Sequence, residues 1–326
     1  MRVSPLLYDL GIPTLLKGTV TLGTGSEIHS FSLFLSAKST QARRSHLRRL
    51  TINTTPWDLK HHNQNSSARE SVAAILKGAT HLESLDFPYC QPFFDIEHPS
   101  VIQALASITS LRRLHLGRAD NTSEAIFELF TEFSSPISEL LISRVIDGEW
   151  NQMPHIFHRL PRVEELALRF EGDLMSPEYL PRVFPNLKKL SIFNFQVTQK
   201  LKESEIDEML FRRTQSLITW PSFDFVSSPA LCLAWYGPTC PVRRVRTRLI
   251  KPCAVAAFCR FLQSAKPSIL EFTIHLRQDL FDPGPLFHGL STVAQPEALS
   301  VTFKGDEWDD DIHISDAWVG SILKYQ

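Results

Sequence analysis

One apolar pattern recurs along this chain and limits what it can fold into. Each copy is a hexad with apolar residues at its first, fourth and sixth positions, as in Leu111-Arg-Arg-Leu-His-Leu116, except that one copy has Thr247 at the sixth position. Nine copies are in phase, and most carry two polar or charged residues at the second and third positions. They begin at Leu47, Leu82, Leu111, Ile137, Val163, Leu187, Val242, Ile269 and Ala298, and an earlier candidate begins at Ile28.

The spacing of the hexads indicates a stacked repeat architecture. From Leu47 the steps are 35, 29, 26, 26 and 24 residues, and after a step of 55 they are 27 and 29. Each hexad ends in alternating apolar and polar residues, which predicts a short strand with one buried face. Helical periodicity follows several hexads, at residues 68–77, 121–130, 176–183, 205–213 and 254–264. A strand and a helix in each unit predict an α/β solenoid, with a parallel sheet inside and helices outside.

The hexad phase is lost over residues 193–241, although the apolar content stays high. Strand-like runs occur at 212–220 and 230–235. The 55-residue step leaves room for an additional unit. We therefore predict one or two irregular repeats in this stretch rather than a domain break or a disordered linker.

The array resembles leucine-rich repeat proteins over about residues 28–303. Their repeats have a similar length, about 20–29 residues, and a similar hexad followed by Asn or Cys at the ninth position. In this chain only Cys90 fits that ninth position. Five other units depart from it, with Thr55, Ala119, Val145, Glu171 and Phe195. The resemblance implies a horseshoe-shaped solenoid with the sheet on its concave face.

Units of irregular length with helices look most like the repeats behind an F-box in fungal and plant F-box/leucine-rich repeat proteins. The opening segment, Val3-Ser-Pro-Leu-Leu-Tyr-Asp-Leu10 and the residues to Leu22, resembles the stretch that follows an F-box. The F-box helices themselves are not visible before residue 3. The resemblance implies three parts: a post-F-box-like cap at 1–27, the repeat array at 28–303, and a C-terminal loop and helix at 304–326. A Skp-type adaptor and a cullin are implied only if an F-box lies upstream.

Charge and composition narrow the classes of function. The 34 Lys and Arg residues balance 35 Asp and Glu residues, and the net charge of -1 argues against nucleic acid and anionic membranes as partners. No apolar run approaches the about 20 residues that span a bilayer. The five cysteines, without a secretory leader, are expected as reduced thiols in a cytoplasmic or nuclear protein.

Motifs of catalysis and metal binding are absent from the sequence. It contains no nucleophile elbow, phosphate-binding loop, dinucleotide fingerprint or zinc-protease helix. The acidic run at 306–311 lacks the glycine of a calcium loop, and His155 and His158 have no further ligand to complete a zinc set. We therefore expect no catalytic residues, no cofactor and no metal.

The polar positions of the strands define the candidate binding surface. Side chains alternate along a strand, so the residues between the apolar positions lie together on the concave face. The partner-binding residues predicted there are Arg113, His115, Arg169, Lys189, Phe193, Arg244, Arg246, Arg248, Glu271 and His275. The alternating arginines of the run 243–248 suit carboxylate or phosphate groups. Pairing with Glu271 of the next repeat, on a solvated basic strand, is an equal alternative.

Two functions follow from this surface. The first is a non-enzymatic protein-interaction module, the substrate-recognition part of an F-box-type ubiquitin ligase receptor. The second is a structural scaffold of repeats with no link to ubiquitin. A segment of about 40–50 residues rich in Leu and Pro upstream of Met1 would favour the first, as the resemblance implies.

Overall fold

The chain forms two units of strands and helices. A computed structural model describes residues 5–37, 41–55, 62–95, 97–118, 123–146, 160–171, 179–194, 220–230, 232–233, 240–249, 253–275, 290, 296–304 and 311–312. The first unit comprises Met1–Val163 and the second comprises Glu164–Gln326. Each unit contains a sheet whose strands follow one another in chain order.

The described residues of the first unit include five parallel strands. These are β1 (Thr19–Leu22), β2 (Arg49–Ile52), β3 (Ser84–Phe87), β4 (Arg113–Leu116) and β5 (Glu139–Ile146). Its helices are α1 (Pro5–Lys17), α2 (Gly25–Ser36), α3 (Gln41–Arg44), α4 (His62–Gly78), α5 (Ser100–Ala106) and α6 (Ser123–Glu132). Helix α4 packs against α2 and α5, and α5 packs against α6, so these helices form a layer in the order of the strands.

Within the part of the second unit that the structure describes there are six parallel strands and one antiparallel strand. The parallel strands are β6 (Glu165–Glu171), β7 (Lys189–Asn194), β8 (Phe223–Pro229), β9 (Val242–Leu249), β10 (Ile269–His275) and β11 (Ala298–Lys304). Strand β12 (Asp311–Ile312) pairs antiparallel with β11. The helices described in this unit are α7 (Tyr179–Val183) and α8 (Cys253–Ala265).

The hexads form strands because their apolar positions alternate with polar ones. In the repeat that contains β4, Leu111, Leu114 and Leu116 are at most 2% exposed, whereas Arg113 is exposed. The same burial of the first, fourth and sixth positions recurs at β2, β3, β5, β6 and β7. All nine predicted hexads contain a strand. The parallel strands with helices are compatible with a leucine-rich-repeat-like solenoid.

A backbone contact sets the register between neighbouring repeats. The carbonyl of the second hexad position accepts hydrogen bonds from the N–H groups of the second and third positions of the next repeat. Arg48 accepts in this way from Glu83 and Ser84, at 2.8 and 3.0 Å, and Glu83 accepts from Arg112 and Arg113 at 2.9 and 3.0 Å. Because these contacts involve only the backbone, they do not depend on side-chain identity.

The candidate hexad at Ile28 is a helix and not a strand. The Thr24 side chain caps helix α2 by accepting a hydrogen bond from the Glu27 N–H at 3.2 Å. Ile28, Ser32 and Leu35 are buried at helical spacing. The first strand of the sheet is β1 instead, and it pairs with β2. The apolar spacing of Ile28, Phe31 and Leu33 fits a hexad only by coincidence, because a helical period also places apolar residues three apart.

The out-of-phase stretch contains one described strand, β8. It lies between the two runs predicted as strand-like, 212–220 and 230–235, and fits one additional repeat. The second prediction was wrong where the structure describes it, because Ala230, Cys232 and Leu233 are helical. Its first and fourth positions, Phe223 and Val226, are buried, and the sixth is the buried Ser228. A hydroxyl at the sixth position, together with a 36-residue step from Leu187 to Phe223, concealed this unit.

The phase of the hexads predicted at Ile269 and Ala298 was wrong by two residues. Strand pairing aligns Leu270 with Val245 and Leu299 with Leu270, so these leucines occupy the fourth position. The first positions are therefore Pro267 and Pro296. The hydrogen bond from the Ala298 N–H to the Ser268 carbonyl, at 3.1 Å, fits this corrected phase. A shift of two residues keeps each side chain on the same face of the sheet.

Two further contacts explain local sequence features. Arg44 at the end of α3 donates to the Leu35 carbonyl at 3.1 Å and to the Ser36 hydroxyl at 2.6 Å, which satisfies the end of α2. After β4, the Gly117 Cα approaches Pro88 so closely that a Cβ there would overlap the Pro88 carbonyl oxygen. The Gly117 position therefore excludes a larger residue.

Some sequence predictions lie outside the described residues. These are the helix at 205–213, the histidines at 155 and 158, and most of the C-terminal segment 304–326. The helices predicted at 68–77 and 254–264 correspond to α4 and α8. Those predicted at 121–130 and 176–183 correspond to α6 and α7 where they are described.

Candidate functional site on the open face of the sheet

The predicted partner-binding residues all lie on strands. We call the face that bears the third, fifth and seventh hexad positions, opposite the buried positions, the open face of each sheet. Arg113 and His115 are on β4, Arg169 on β6, Lys189 and Phe193 on β7, Arg244, Arg246 and Arg248 on β9, and Glu271 and His275 on β10. Those whose side chains are described are exposed or half-buried. The His275 side chain lies outside the described residues.

In the first unit the predicted binding residues Arg113 and His115 contact acids on neighbouring strands. His115 Nδ1 lies 2.5 Å from Asp86 Oδ1, and the two residues face each other across β3 and β4. Arg113 Nε lies 2.8 Å from Glu139 Oε2 across β4 and β5. The Arg113 pair is well exposed, whereas Asp86 Oδ1 is a buried atom. Pairing leaves this part of the face with little free charge.

In the second unit a similar exposed pair joins β6 and β7. Lys189 donates to Glu165, which faces it in the strand register. One position earlier, Lys188 Nζ lies 2.9 Å from Glu164 Oε1. Exposed pairs of this kind contribute about 0–1 kcal/mol, because water already solvates both charges well. These two pairs therefore order the surface more than they stabilise it.

Strands β9 and β10 contain a tighter cluster, in which one carboxylate accepts from two guanidinium groups. Arg244 donates to Glu271 Oε1 through Nε at 3.0 Å and through Nη2 at 2.5 Å. Arg246 donates through Nε to Glu271 Oε2 at 2.7 Å. Partial burial raises the pKa of Glu271, but hydrogen bonds and charge from Arg246 and Arg244 outweigh it and hold that pKa below its usual value. Glu271 is thus an ionised carboxylate held by both arginines.

Phe225 on β8 completes this cluster, and the sequence analysis missed it. The guanidinium carbons of Arg244 and Arg246 lie 5.8 and 5.9 Å from the centre of its ring, within range of a cation–π contact. Phe225 is half-buried at the third hexad position and faces Arg244 in the strand register. The signal in the sequence that could have revealed it is the start of a hexad, Phe223-Asp-Phe-Val226, with apolar residues at the first and fourth positions.

Arg248 lies at the carboxyl end of β9, outside the Glu271 cluster. It is exposed, and its strand neighbours are the uncharged Pro229 on β8 and Thr273 on β10. Among the described residues, no acid forms an ion pair with it. The alternative of a basic strand paired with Glu271 of the next repeat therefore applies to Arg244 and Arg246. Arg248 remains available to contact a ligand.

An aromatic ring is exposed at the same end of the sheet. Phe193 on β7 has 44% of its surface exposed and faces Arg169 on β6. Pro229 lies at the equivalent position of β8, two residues beyond the Ser191–Ser227 pair. Neighbouring strands are about 4.8 Å apart, which separates the Cα atoms of Phe193 and Arg248 by about 10 Å. The seventh hexad positions thus form a row of Arg169, Phe193, Pro229, Arg248 and Thr273.

The remaining reactive groups do not form a catalytic arrangement in the part of the chain that the structure describes. Burial raises the pKa of the Cys232 thiol to about 12, so it stays protonated at neutral pH. Cys90 is buried at the ninth hexad position, and its thiol lies 3.8 Å from the Arg118 carbonyl. No three metal-ligating side chains lie together within the described residues, and no described helix is long and apolar enough to cross a bilayer.

No protein-family model matches the chain, and a search of curated proteins finds none that is similar to it. Any proposal about function therefore depends on the fold and on the chemistry of the open face.

Proposed function

We propose that this chain is a non-enzymatic protein-interaction module that binds a protein partner on the open face of its second unit. Exposed Phe193 is the observation that carries the proposal. A phenylalanine on a polar sheet face exposes apolar surface to water with no benefit to folding. Aromatic residues and arginines are enriched in protein interfaces, and Phe193 lies among arginines.

The repeat architecture supports this choice of surface. In solenoids of stacked strand–helix units, the sheet provides an extended surface to which partners bind. From β2 to β8 the first, fourth and sixth positions are buried in the core, which leaves the open-face positions free to vary with the ligand. The scaffold alternative predicts instead that the open face has no dedicated partner.

A steric block tests the proposal without changing charge. We expect Ser191→Trp, on the open face of β7, to abolish capture of a specific partner from extracts of the native source. The matched control is Gln263→Trp at an exposed position of α8, which should capture the same partner as the wild type. Quantitative mass spectrometry of the three captures is the measurement. Equal capture by the two variants would contradict binding at this face and favour the scaffold.

The finer form of the proposal is the substrate-recognition part of an F-box-type ubiquitin ligase receptor. It is supported by the resemblance of the opening segment to post-F-box sequences and by helix α1, which leads directly into β1. The test is to sequence full-length transcripts upstream of Met1. An F-box-like segment that binds a Skp-type adaptor when joined to this chain is expected. A complete transcript without such a segment would contradict the ubiquitin link.

A further inference from the structure

The open face of β7–β10 carries an excess of positive charge. Arg244, Arg246 and Arg248 contribute three positive charges, and Glu271 forms ion pairs with Arg244 and Arg246. The local excess is therefore positive although the whole chain carries a net charge of -1. This excess is too small for the phosphate backbone of a nucleic acid, which calls for an extended basic surface.

The cluster already holds a carboxylate in a geometry that a ligand could reproduce. Two guanidinium groups approach opposite oxygens of Glu271 at hydrogen-bonding distance. Guanidinium forks fit planar carboxylates through parallel N–H donors. Glu271 thus shows which chemical group these side chains accept, and it competes for the donors of Arg244 and Arg246.

Arg248 and Phe193 provide the complementary open contacts. Arg248 is exposed next to uncharged residues, and Phe193 is exposed with Pro229 between the two. A chain segment bound across the strands would place an acidic side chain on Arg248 and an apolar side chain on Phe193. The about 10 Å between the two positions corresponds to about three residues of an extended peptide.

We propose that the open face of β7–β10 recognises an acidic segment of a partner protein, with a carboxylate at Arg248 and a neighbouring apolar side chain on Phe193 and Pro229. This inference rests on the proposed function, because it specifies the partner's chemistry at the same surface. Arg248 is the primary contact. Glu271 limits affinity, because its carboxylate occupies the donors of Arg244 and Arg246.

A peptide selection tests the inference with the full chain. Random peptides displayed on phage are selected on the wild-type protein, and the best sequence is labelled for fluorescence polarisation. We expect the selected sequences to be rich in Asp and Glu and to include an apolar residue. Selection of neutral or basic sequences, or of none, would overturn the inference.

Variants then locate the contact. Arg248→Gln should weaken binding of the selected peptide about tenfold, the scale of one charge-assisted contact. The control is Arg243→Gln, an equal change of charge on the same strand at a second hexad position, off the open face, and it should leave the affinity unchanged. Equal losses in the two variants would indicate only a general effect of charge, and would overturn the inference.

Glu271→Gln should change the affinity for the peptide in the opposite direction. Removing this charge frees donors of Arg244 and Arg246, so binding of the acidic peptide should tighten several-fold. Circular dichroism and thermal melting of each variant establish that the fold is kept. If a folded Glu271→Gln variant bound the peptide more weakly, the competing role assigned to Glu271 would be overturned. Weaker binding is the result expected if Glu271 only supports the structure of the surface.

Three outcomes separate this inference from the alternatives. A short single-stranded RNA that binds as tightly as the acidic peptide and competes with it would overturn the inference in favour of phosphate recognition. If Ser191→Trp blocks partner capture while no acidic peptide binds, the proposed function stands and the inference about partner chemistry fails. If Ser191→Trp and Gln263→Trp capture equally, the proposed function itself fails.

Discussion

The indole Nε1 of Trp220 donates a buried hydrogen bond of 2.7 Å to the backbone carbonyl of Phe184. The two residues are separated by 36 positions in the chain, and both side chains are at most 5% exposed. The Trp220 ring also packs edge-on against Phe223, with 5.0 Å between ring centres. This contact fixes the residues just before β8 against the end of the return segment that follows β6 and leads into β7.

Trp220→Phe should reduce the free energy of unfolding by about 1–3 kcal/mol. The substitution keeps an aromatic ring but leaves the buried Phe184 carbonyl without its donor. Trp220→Ala should cost more, about 3–5 kcal/mol, because it also leaves a cavity. Chemical denaturation of both variants is the measurement. A Trp220→Phe variant as stable as the wild type would show that this hydrogen bond contributes nothing to stability.

Gly117→Ala should destabilise the first unit by about 1–3 kcal/mol. The new methyl group would overlap the Pro88 carbonyl oxygen, so the backbone after β3 or β4 must move. Gly11→Ala in helix α1 is the matched control, because a Cβ there has nothing within 4 Å. It should stabilise the protein by about 0.5–1 kcal/mol through helix propensity. Thermal melts that move in the same direction for both variants would contradict the close approach of Gly117 to Pro88.

His115→Ala should cost about 1–3 kcal/mol because it removes the ring nitrogen that lies 2.5 Å from the buried Asp86 Oδ1, an oxygen to which no described residue donates a hydrogen bond. Arg113→Ala, on the same strand and the same face, should cost at most about 1 kcal/mol, since its pair with Glu139 is exposed. Urea unfolding compares the two variants. Equal costs would indicate that the Asp86–His115 contact is solvated like an ordinary surface pair.

The contribution of Glu271 to stability should depend on pH. Because its pKa is lower in the folded chain than the ordinary value near 4.5, the carboxylate stabilises the fold above that value. The stabilisation should be lost progressively as the pH falls through the folded pKa. We expect the difference in unfolding free energy between wild type and Glu271→Gln to be largest near neutral pH and to shrink in acid.

The two arginines provide the control for this pH dependence. In an Arg244→Gln/Arg246→Gln background, Glu271→Gln should produce a smaller difference that changes less with pH, because the cations that lower the pKa are gone. Urea unfolding at several pH values measures all four chains. A pH dependence that persists unchanged in the arginine-free background would contradict the assigned cause.

The hexads from Leu47 to Leu187 gave the strand positions correctly because only one alternation fits them. At Ile28 three apolar positions were present as well, but they belong to helix α2. The repeat at Phe223 was missed because Ser228 occupies its sixth position and its step from Leu187 is 36 residues, whereas the Val242 repeat was recognised in spite of Thr247 at that position. At Ile269 the residues Ile-Leu-Glu-Phe-Thr-Ile are compatible with two phases, and only strand pairing distinguishes them.

The open-face residues could be predicted, and pairing of the β9 arginines with Glu271 was one of two alternatives, but the geometry of that pairing could not be predicted. Alternation along the strands placed Arg244, Arg246 and Glu271 on one face, as the structure has them. Arg244 faces Ile269 in the register and reaches diagonally to Glu271. Such diagonal contacts depend on side-chain rotamers and on the neighbouring Phe225 ring, neither of which a sequence pattern specifies.

The backbone hydrogen bonds at the start of each strand have a consequence for how such a chain can diverge. A carbonyl that positions the next strand makes no demand on the length of the segment between them. Successive first positions are 36 residues apart between Leu187 and Phe223, and 19 apart between Phe223 and Val242, yet β7, β8 and β9 pair in register. Insertions and deletions can therefore accumulate in the return segments without disturbing the sheet. Over time a lineage of this kind would keep its architecture while its alignable sequence erodes to a few apolar positions in each unit.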